Sequence, residues 1–236
     1  MDGQHFTAFL VERGFPGVSI GREERKMGYG GSSTAQVILE DARVPVENVL
    51  HAVGKGHQVA FNTLNVGRYK LAPMCLGGSI AALDHAARYA QERQQFGRPI
   101  GSFRLIGRKL ADMAARIYAL EALTYRLAAL LDGATAGLDI AGDARAGANG
   151  ALSEYAIECS IAKVFATETL DRVVDEAVQI HGGYGYMLEY PIARAYRDSR
   201  VNRIFEGTNE INRLLIPTLL FRRAAQGAVP ALDDIR

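Results

Sequence analysis

Apolar positions along the 236-residue chain change their spacing once, near Gly54. Before that point the pattern is that of strands. "HFTAFLVERG" is rich in β-branched and aromatic residues and runs into a Gly-Phe-Pro-Gly turn, and "AQVILEDARVP" stops at Pro45. Between them "GREERKMGYGGSS" carries charges and then glycines, and reads as loop. Two or three strands make a marginal sheet alone. The opening therefore predicts the end of a β-barrel-like domain, residues 1–53, with open edges and its sheet partners missing.

From Gly54 the spacing is helical. Ile106, Leu110, Met113, Ile117, Leu120, Thr124, Leu127 and Leu131 alternate steps of four and three, a bundle seam almost without interruption. Long segments from His57 to Glu92 and from Leu152 to Ile180 are also apolar on one side. The glycine-rich "DGATAGLDIAGDARAGANG" reads as an exposed linker. Two shorter helices follow, one after Pro191 and one from about Thr208 to Ala225. The pattern predicts a mainly α fold, an antiparallel helical bundle over residues 54–236.

Composition narrows the possibilities. With 27 basic and 26 acidic residues, no strong field draws the chain to nucleic acid or an anionic membrane. No apolar run approaches the roughly 20 residues of a membrane span, and "MDGQHFTAFL" lacks a signal-peptide pattern. Cys75 and Cys159 lie far apart inside apolar helical runs, which predicts buried, reduced thiols. The five histidines show no metal-ligand spacing, so no metal is expected. The Arg/Ala/Gly-rich composition points toward a bacterial cytoplasm.

Four segments break the helical pattern. "RQQFGRPIGSF" sets Arg93 and Phe96 at the end of the first long helix, where Gly97 and Pro99 stop it, and is at least a helix–helix connection. "QIHGGYGY" ends the third long helix with glycines that admit another backbone or a ligand. It follows a helix rather than a strand, so it is not a dinucleotide fingerprint. "NVGR" puts Arg68 on an apolar helix, either as a solvated side chain or as a partner for a carboxylate or phosphate. "RIFEGTNEINR" places Glu206 between Phe205 and Gly207. That Glu either serves a helix start, with Thr208 as cap, or is a base in an apolar pocket with a raised pKa.

In this order the segments resemble the carboxy-terminal half of an acyl-CoA dehydrogenase. "KMGYGGSSTAQVILEDARVPVENVL" is similar to the close of that family's middle β-domain. "RQQFG", "QIHGGYGY" and "YRDSRVNRIFEGTNEINR" are similar to signatures of its helical domain, and "NEINRLLIP" resembles the long-chain and very-long-chain branch. The resemblance implies FAD-dependent α,β-dehydrogenation of an acyl-CoA to the trans-2-enoyl-CoA, as in fatty acid β-oxidation. It makes Glu206 the base. Gly67 occupies the position, just before Arg68, from which some members supply that base instead. Asn65 and Arg68, with Phe205 and Gly207 beside the base, match substrate-binding positions. Arg93, Phe96, Gln179, Gly182 and Gly183 match residues that meet the FAD of a neighbouring subunit, and Thr208 and Glu210 match a helix start suited to its diphosphate. Arg104 stands where many members have a glutamine on FAD. A homo-oligomer, dimer or tetramer, and an electron-transfer flavoprotein as electron acceptor are implied. The family's amino-terminal helical domain and the first half of its β-domain have no counterpart in this sequence, which reads as a truncated relative. A flavin oxidase-like enzyme and a non-catalytic helical assembly subunit are the alternatives.

Overall fold

A computed structural model of the chain describes residues 5–136, 150 and 152–227. The chain divides into two compact units, Met1–Leu64 and Asn65–Arg236.

In the first unit, strand β1 (Ala8–Phe9) pairs antiparallel with β4 (Val49–Leu50), and β2 (Val18–Glu23) pairs with β3 (Ala35–Leu39). The segment read as loop after Gly21 begins instead as strand. Val18 and Ile20 alternate on the pleat opposite Leu39 and Val37. The Glu23 carboxylate accepts from Thr34 N at 3.0 Å, so the charges close the hairpin rather than dissolve the strand. Conversely, "HFTAFLVERG" yields only two strand residues, though Leu10 N still donates to Asn48 O at 2.8 Å. Among the described residues neither pair gains a third strand, and Val37 and Leu39 stay exposed.

The second unit is helical. Helix α1 spans Gly56–Glu92 and enters it at Asn65; a hairpin of β5 (Gln94–Gln95) and β6 (Arg98–Pro99) follows. Then come α2 (Arg104–Thr135), α3 (Ala156–His181), α4 (Pro191–Ser199) and α5 (Asn209–Ala225). Of the glycine-rich linker, Asp132–Thr135 belong to the last turn of α2, and residues 137–149 lie outside the described residues.

Helix α3 is buried along almost its whole length and packs against α2, α4 and α5. Helix α2 buries the stripe its periodicity predicts, Met113, Ile117, Leu120, Thr124 and Leu127. Thr124 fits the apolar seam because its hydroxyl donates to Leu120 O at 2.7 Å. From α1 the core receives mostly small side chains, Ala72, Cys75, Ala82, Ala86 and Ala90. Both cysteines are free and buried. Between α2 and α3 the Glu176 carboxylate holds Lys109 and, at 2.9 Å, Arg172. Among the described residues no helix is long and apolar enough to cross a membrane.

This packing has a direct stability consequence. Leu120 is 0% exposed at the centre of the seam. Leu120→Ala should cost about 2–5 kcal/mol in denaturant unfolding followed by circular dichroism. Glu121→Ala, one residue along on the exposed face, should stay within about 0.5 kcal/mol of wild type. Equal losses from both would mean that α2 does not bury the stripe.

Candidate active site

Among the described residues of the helical unit, two that are not glycine adopt a left-handed backbone, Phe96 (φ 53) and Glu206 (φ 56). Each such residue costs on the order of 1–3 kcal/mol and persists only where its surroundings impose it. Around Glu206 the cause is visible. Gly207 follows at φ 80, so two successive residues turn left-handed between the short 3-10 turn Arg200–Arg203 and α5. Beneath the turn lies α1. The Glu206 carboxylate rests against the bare backbone of Gly67, where an added Cβ would come within 2.8 Å of Oε1 and closer still to Oε2 and Cδ. Gly67 is therefore more than a position without a base, for its missing side chain is the space the carboxylate occupies.

Two buried cations hold the turn. Arg68, 4% exposed, donates from Nε to the backbone oxygen of Glu206 at 3.2 Å and from a terminal nitrogen to Asn65 Oδ1 at 3.1 Å. Asn65 in turn donates to Leu152 O at 3.3 Å. Lys163, 0% exposed on α3, donates to Gly207 O at 2.8 Å and to Asn209 Oδ1 at 2.7 Å. The Gly207 carbonyl also accepts from Asn212 Nδ2 at 2.8 Å. Asn209 donates onward to Thr167 Oγ1 at 3.1 Å and to Glu168 at 3.0 Å, and Glu168 takes both terminal nitrogens of Arg213 at 2.6 and 2.8 Å. Thr208 caps α5, accepting from Ile211 N at 3.2 Å. The Glu210 carboxylate is held below its usual range by backbone N–H at the helix start and by the Thr208 hydroxyl.

A second group forms at the other end of the bundle. The β5–β6 hairpin turns through Phe96 and Gly97, both with positive φ, as a two-residue loop that matches strand twist. It carries Phe96 outward, 91% exposed, edge-on to Phe103 at 6.0 Å. Helix α1 ends at Glu92, as the His57–Glu92 segment predicts, and Gly97 serves the hairpin rather than the helix stop. Beside it a cavity of about 420 Å³ is lined by Tyr89, Arg93, Gln95, Gly182, Gly183 and Tyr184, among others. Arg93 lies over the Tyr184 ring at 5.7 Å, and Tyr89 stacks on His181 at 4.3 Å.

The predicted site residues thus fall into two sets. Glu206, Gly207, Thr208, Glu210, Asn65 and Arg68 come together; Arg93, Phe96, Gly182 and Gly183 come together elsewhere, with Gln179 exposed one turn before the glycines and Arg104 exposed at the start of α2. Roughly 37 Å of helical rise separates Gly67 from Glu92 along α1, and roughly 27 Å separates Lys163 from His181 along α3. Two of the alternatives left open by the sequence narrow. Arg68 is not solvated, and its buried guanidinium is taken up by Glu206 O and Asn65, so it braces the turn. Phe205 and Ile204 are exposed, so they do not close an apolar pocket over the carboxylate within this chain.

Comparison with known proteins identifies the family. A family model for the acyl-CoA dehydrogenase C-terminal domain matches residues 54–220. The chain belongs to the acyl-CoA dehydrogenase family. It is 52% identical over 99% of its length to a probable acyl-CoA dehydrogenase of Bacillus subtilis, covering 39% of that protein. It is 40% identical over 92% of its length to a subunit of the caffeyl-CoA reductase–Etf complex of Acetobacterium woodii, covering 53% of it. A crystal structure of an acyl-CoA dehydrogenase complexed with FAD from Bacillus anthracis superposes with a TM-score of 0.94 at 53% identity, covering 99% of this chain and 40% of that one. The chain therefore spans between about two fifths and one half of the length of these relatives.

Sequence reading of this acyl-CoA dehydrogenase domain found the carboxylate and missed most of what holds it. Lys163, Thr167, Glu168 and Asn212 went unremarked. One signal was available: Lys163 in "SIAKVFA" interrupts an apolar run, as Arg68 does on α1.

Lys163 yields a pH prediction. Burial lowers its pKa from 10.5 to about 8; Cys75, Glu210 and Glu206 oppose that shift, while Arg68 adds to it. Between pH 8 and 10.5 the unfolded chain holds a proton that the fold does not, so this group makes stability rise with pH across that window. Below pH 8 the cost is constant. The Cys75 and Cys159 thiols, pushed up from 9.0 to about 12 and about 11, act in the opposite sense above pH 9. Subtracting the unfolding profile of Lys163→Met from that of wild type isolates the lysine. The difference should climb from pH 8 to 10.5, and a flat difference would mean that the ammonium is not desolvated.

Proposed function

We propose that this domain supplies the base of an FAD-dependent acyl-CoA dehydrogenase, with Glu206 removing the α-proton of an acyl-CoA thioester on the way to the trans-2-enoyl-CoA. The observation that carries this reading is the carboxylate itself, seated on the bare Gly67 backbone in a left-handed turn braced by Arg68 and Lys163. A thioester α-proton is weakly acidic, so its base has to be fixed within reach before the reaction starts. Gly67 leaves room for one carboxylate at this place, and Glu206 fills it. FAD, when bound, accepts the β-hydride.

The second group suits the adenosine and diphosphate part of FAD. Its cavity of about 420 Å³ offers the Arg93 cation, the open backbone of Gly182 and Gly183 and the face of Tyr184, with Phe96 projecting beside it. Gln179 and Arg104 stand close enough in the chain to extend that surface. The run of helix between the two groups is too long for one such cofactor bound to a single chain to reach both. We infer a homo-oligomer in which each FAD meets Glu206 of one protomer and Arg93 of another. At the start of α5 the backbone N–H groups and Thr208 suit the diphosphate better than Glu210, whose carboxylate adds like charge. Asn65 and Arg68 serve substrate indirectly, through Glu206, with Phe205 and Gly207 next to it.

Residues 1–53 are assigned to the end of a β-domain and residues 54–236 to the helical domain. A place in fatty acid β-oxidation, an electron-transfer flavoprotein as acceptor and work in a bacterial cytoplasm complete the reading. The likeness to a subunit of an Etf complex supports the acceptor, and two buried reduced thiols suit the compartment.

Glu206→Gln tests the base. In FAD-loaded protein mixed anaerobically with acyl-CoA, the variant should keep its flavin but bleach it at least about 100-fold more slowly. Bleaching at the wild-type rate would remove Glu206 from the role.

A further inference from the structure

Among the described residues Lys163 is the largest side chain to be fully buried, and nothing in the abstraction of a proton calls for a second cation there. It sits on α3, the most enclosed helix, and it donates twice to the segment that carries Glu206, to the Gly207 carbonyl and to Asn209 at the first turn of α5. A lysine is costly to bury. An apolar side chain would pack in its place if the position only had to fill space. What an apolar side chain lacks is a donor aimed at a carbonyl that the left-handed turn rotates inward. Gly207 O takes Lys163 from α3 and Asn212 from α5, while Glu206 O takes Arg68 from α1. Three helices thus grip two successive peptide groups.

We infer that Lys163 is a positioning residue for Glu206, fixing the Glu206–Gly207 peptides so that the carboxylate stays over Gly67. This rests on the reading of Glu206 as the base, and it adds a residue that touches neither substrate nor cofactor. The side chain acts through the backbone, so its loss should leave binding alone and slow the proton transfer. A carboxylate displaced by about 1 Å can lose about 100-fold in rate.

The test is a double-mutant cycle with Lys163→Met and Glu206→Gln in the FAD-loaded protein, using butyryl-CoA or palmitoyl-CoA, whichever wild type turns over faster. Lys163→Met should lower kcat about 10- to 100-fold while KM and FAD affinity stay within about threefold. In the Glu206→Gln background the same substitution should cost nothing further, because there is no base left to position. A second readout needs no flavin: amide hydrogen exchange from Phe205 to Asn212 should quicken at least tenfold in Lys163→Met, with the α2 seam unchanged. If Lys163→Met does not fold, Asn212→Leu removes the other donor to Gly207 O together with an Asn212 Oδ1 that is buried without a partner, and should show the same kcat-only loss. A wild-type kcat in the folded variant, or a Lys163→Met loss that adds in full to that of Glu206→Gln, overturns the inference. A fully active Glu206→Gln instead overturns the base assignment, whatever Lys163→Met does.

Discussion

The helical unit turns on a contact between a buried ammonium and a backbone carbonyl, Lys163 on Gly207 O at 2.8 Å. Around it everything else about the Glu206 segment can be understood. A left-handed glutamate followed by a left-handed glycine is an unfavourable way to enter a helix, and the chain adopts it because its carbonyls find donors there that an ordinary turn would forgo. Arg68 supplies one donor, Lys163 and Asn212 supply two more, and Thr208 then caps the helix that follows. The result points a carboxylate at a bare position of α1, Gly67, where a side chain would collide with it. Position, rather than an enclosing apolar wall, is what this chain gives the Glu206 carboxylate.

Burying two cations within one small region is expensive, and their arrangement shows how the cost is met. Each one donates to oxygens fixed by the backbone or by asparagine, so neither is left unsatisfied. Outside this ring the Glu168–Arg213 pair is half exposed and bidentate, a geometry that ties α3 to α5 with little desolvation. At the opposite end the hairpin works differently. There Phe96 is offered to the outside on a two-residue loop, which suits a surface completed by another molecule.

How much of this could be read from the sequence depended on the kind of signal. The α2 seam was legible because steps of four and three have one physical meaning, and the buried stripe follows it residue for residue. Glu206 drew attention because a carboxylate between Phe205 and Gly207 is chemically odd, but the residues alone left helix start and base both open, and only the family resemblance chose between them. Lys163 showed only as a break in an apolar run, because it lies in register with core positions and periodicity reports which face is buried, not what a buried lysine bonds to. Phe96–Gly97 read as a helix stop because a glycine after a helix has that use most often, while the hairpin depends on Pro99 and Arg98 folding back on Gln94 and Gln95. Strand β2 was hidden by charges at its end, whose partners across the hairpin are known only once the chain is folded.

The central claim is that the placement of the carboxylate, not its mere presence, makes Glu206 a base. Glu206→Asp tests it by keeping the charge and withdrawing the oxygens by one methylene. The measurement is deuterium entry from heavy water into the α-carbon of an acyl-CoA whose β-carbon bears no hydrogen, which isolates proton transfer from oxidation. Exchange should fall about 100-fold in Glu206→Asp, with acyl-CoA binding unchanged. Exchange at close to the wild-type rate would contradict the account, because a carboxylate that works from a displaced position does not need the turn that holds it.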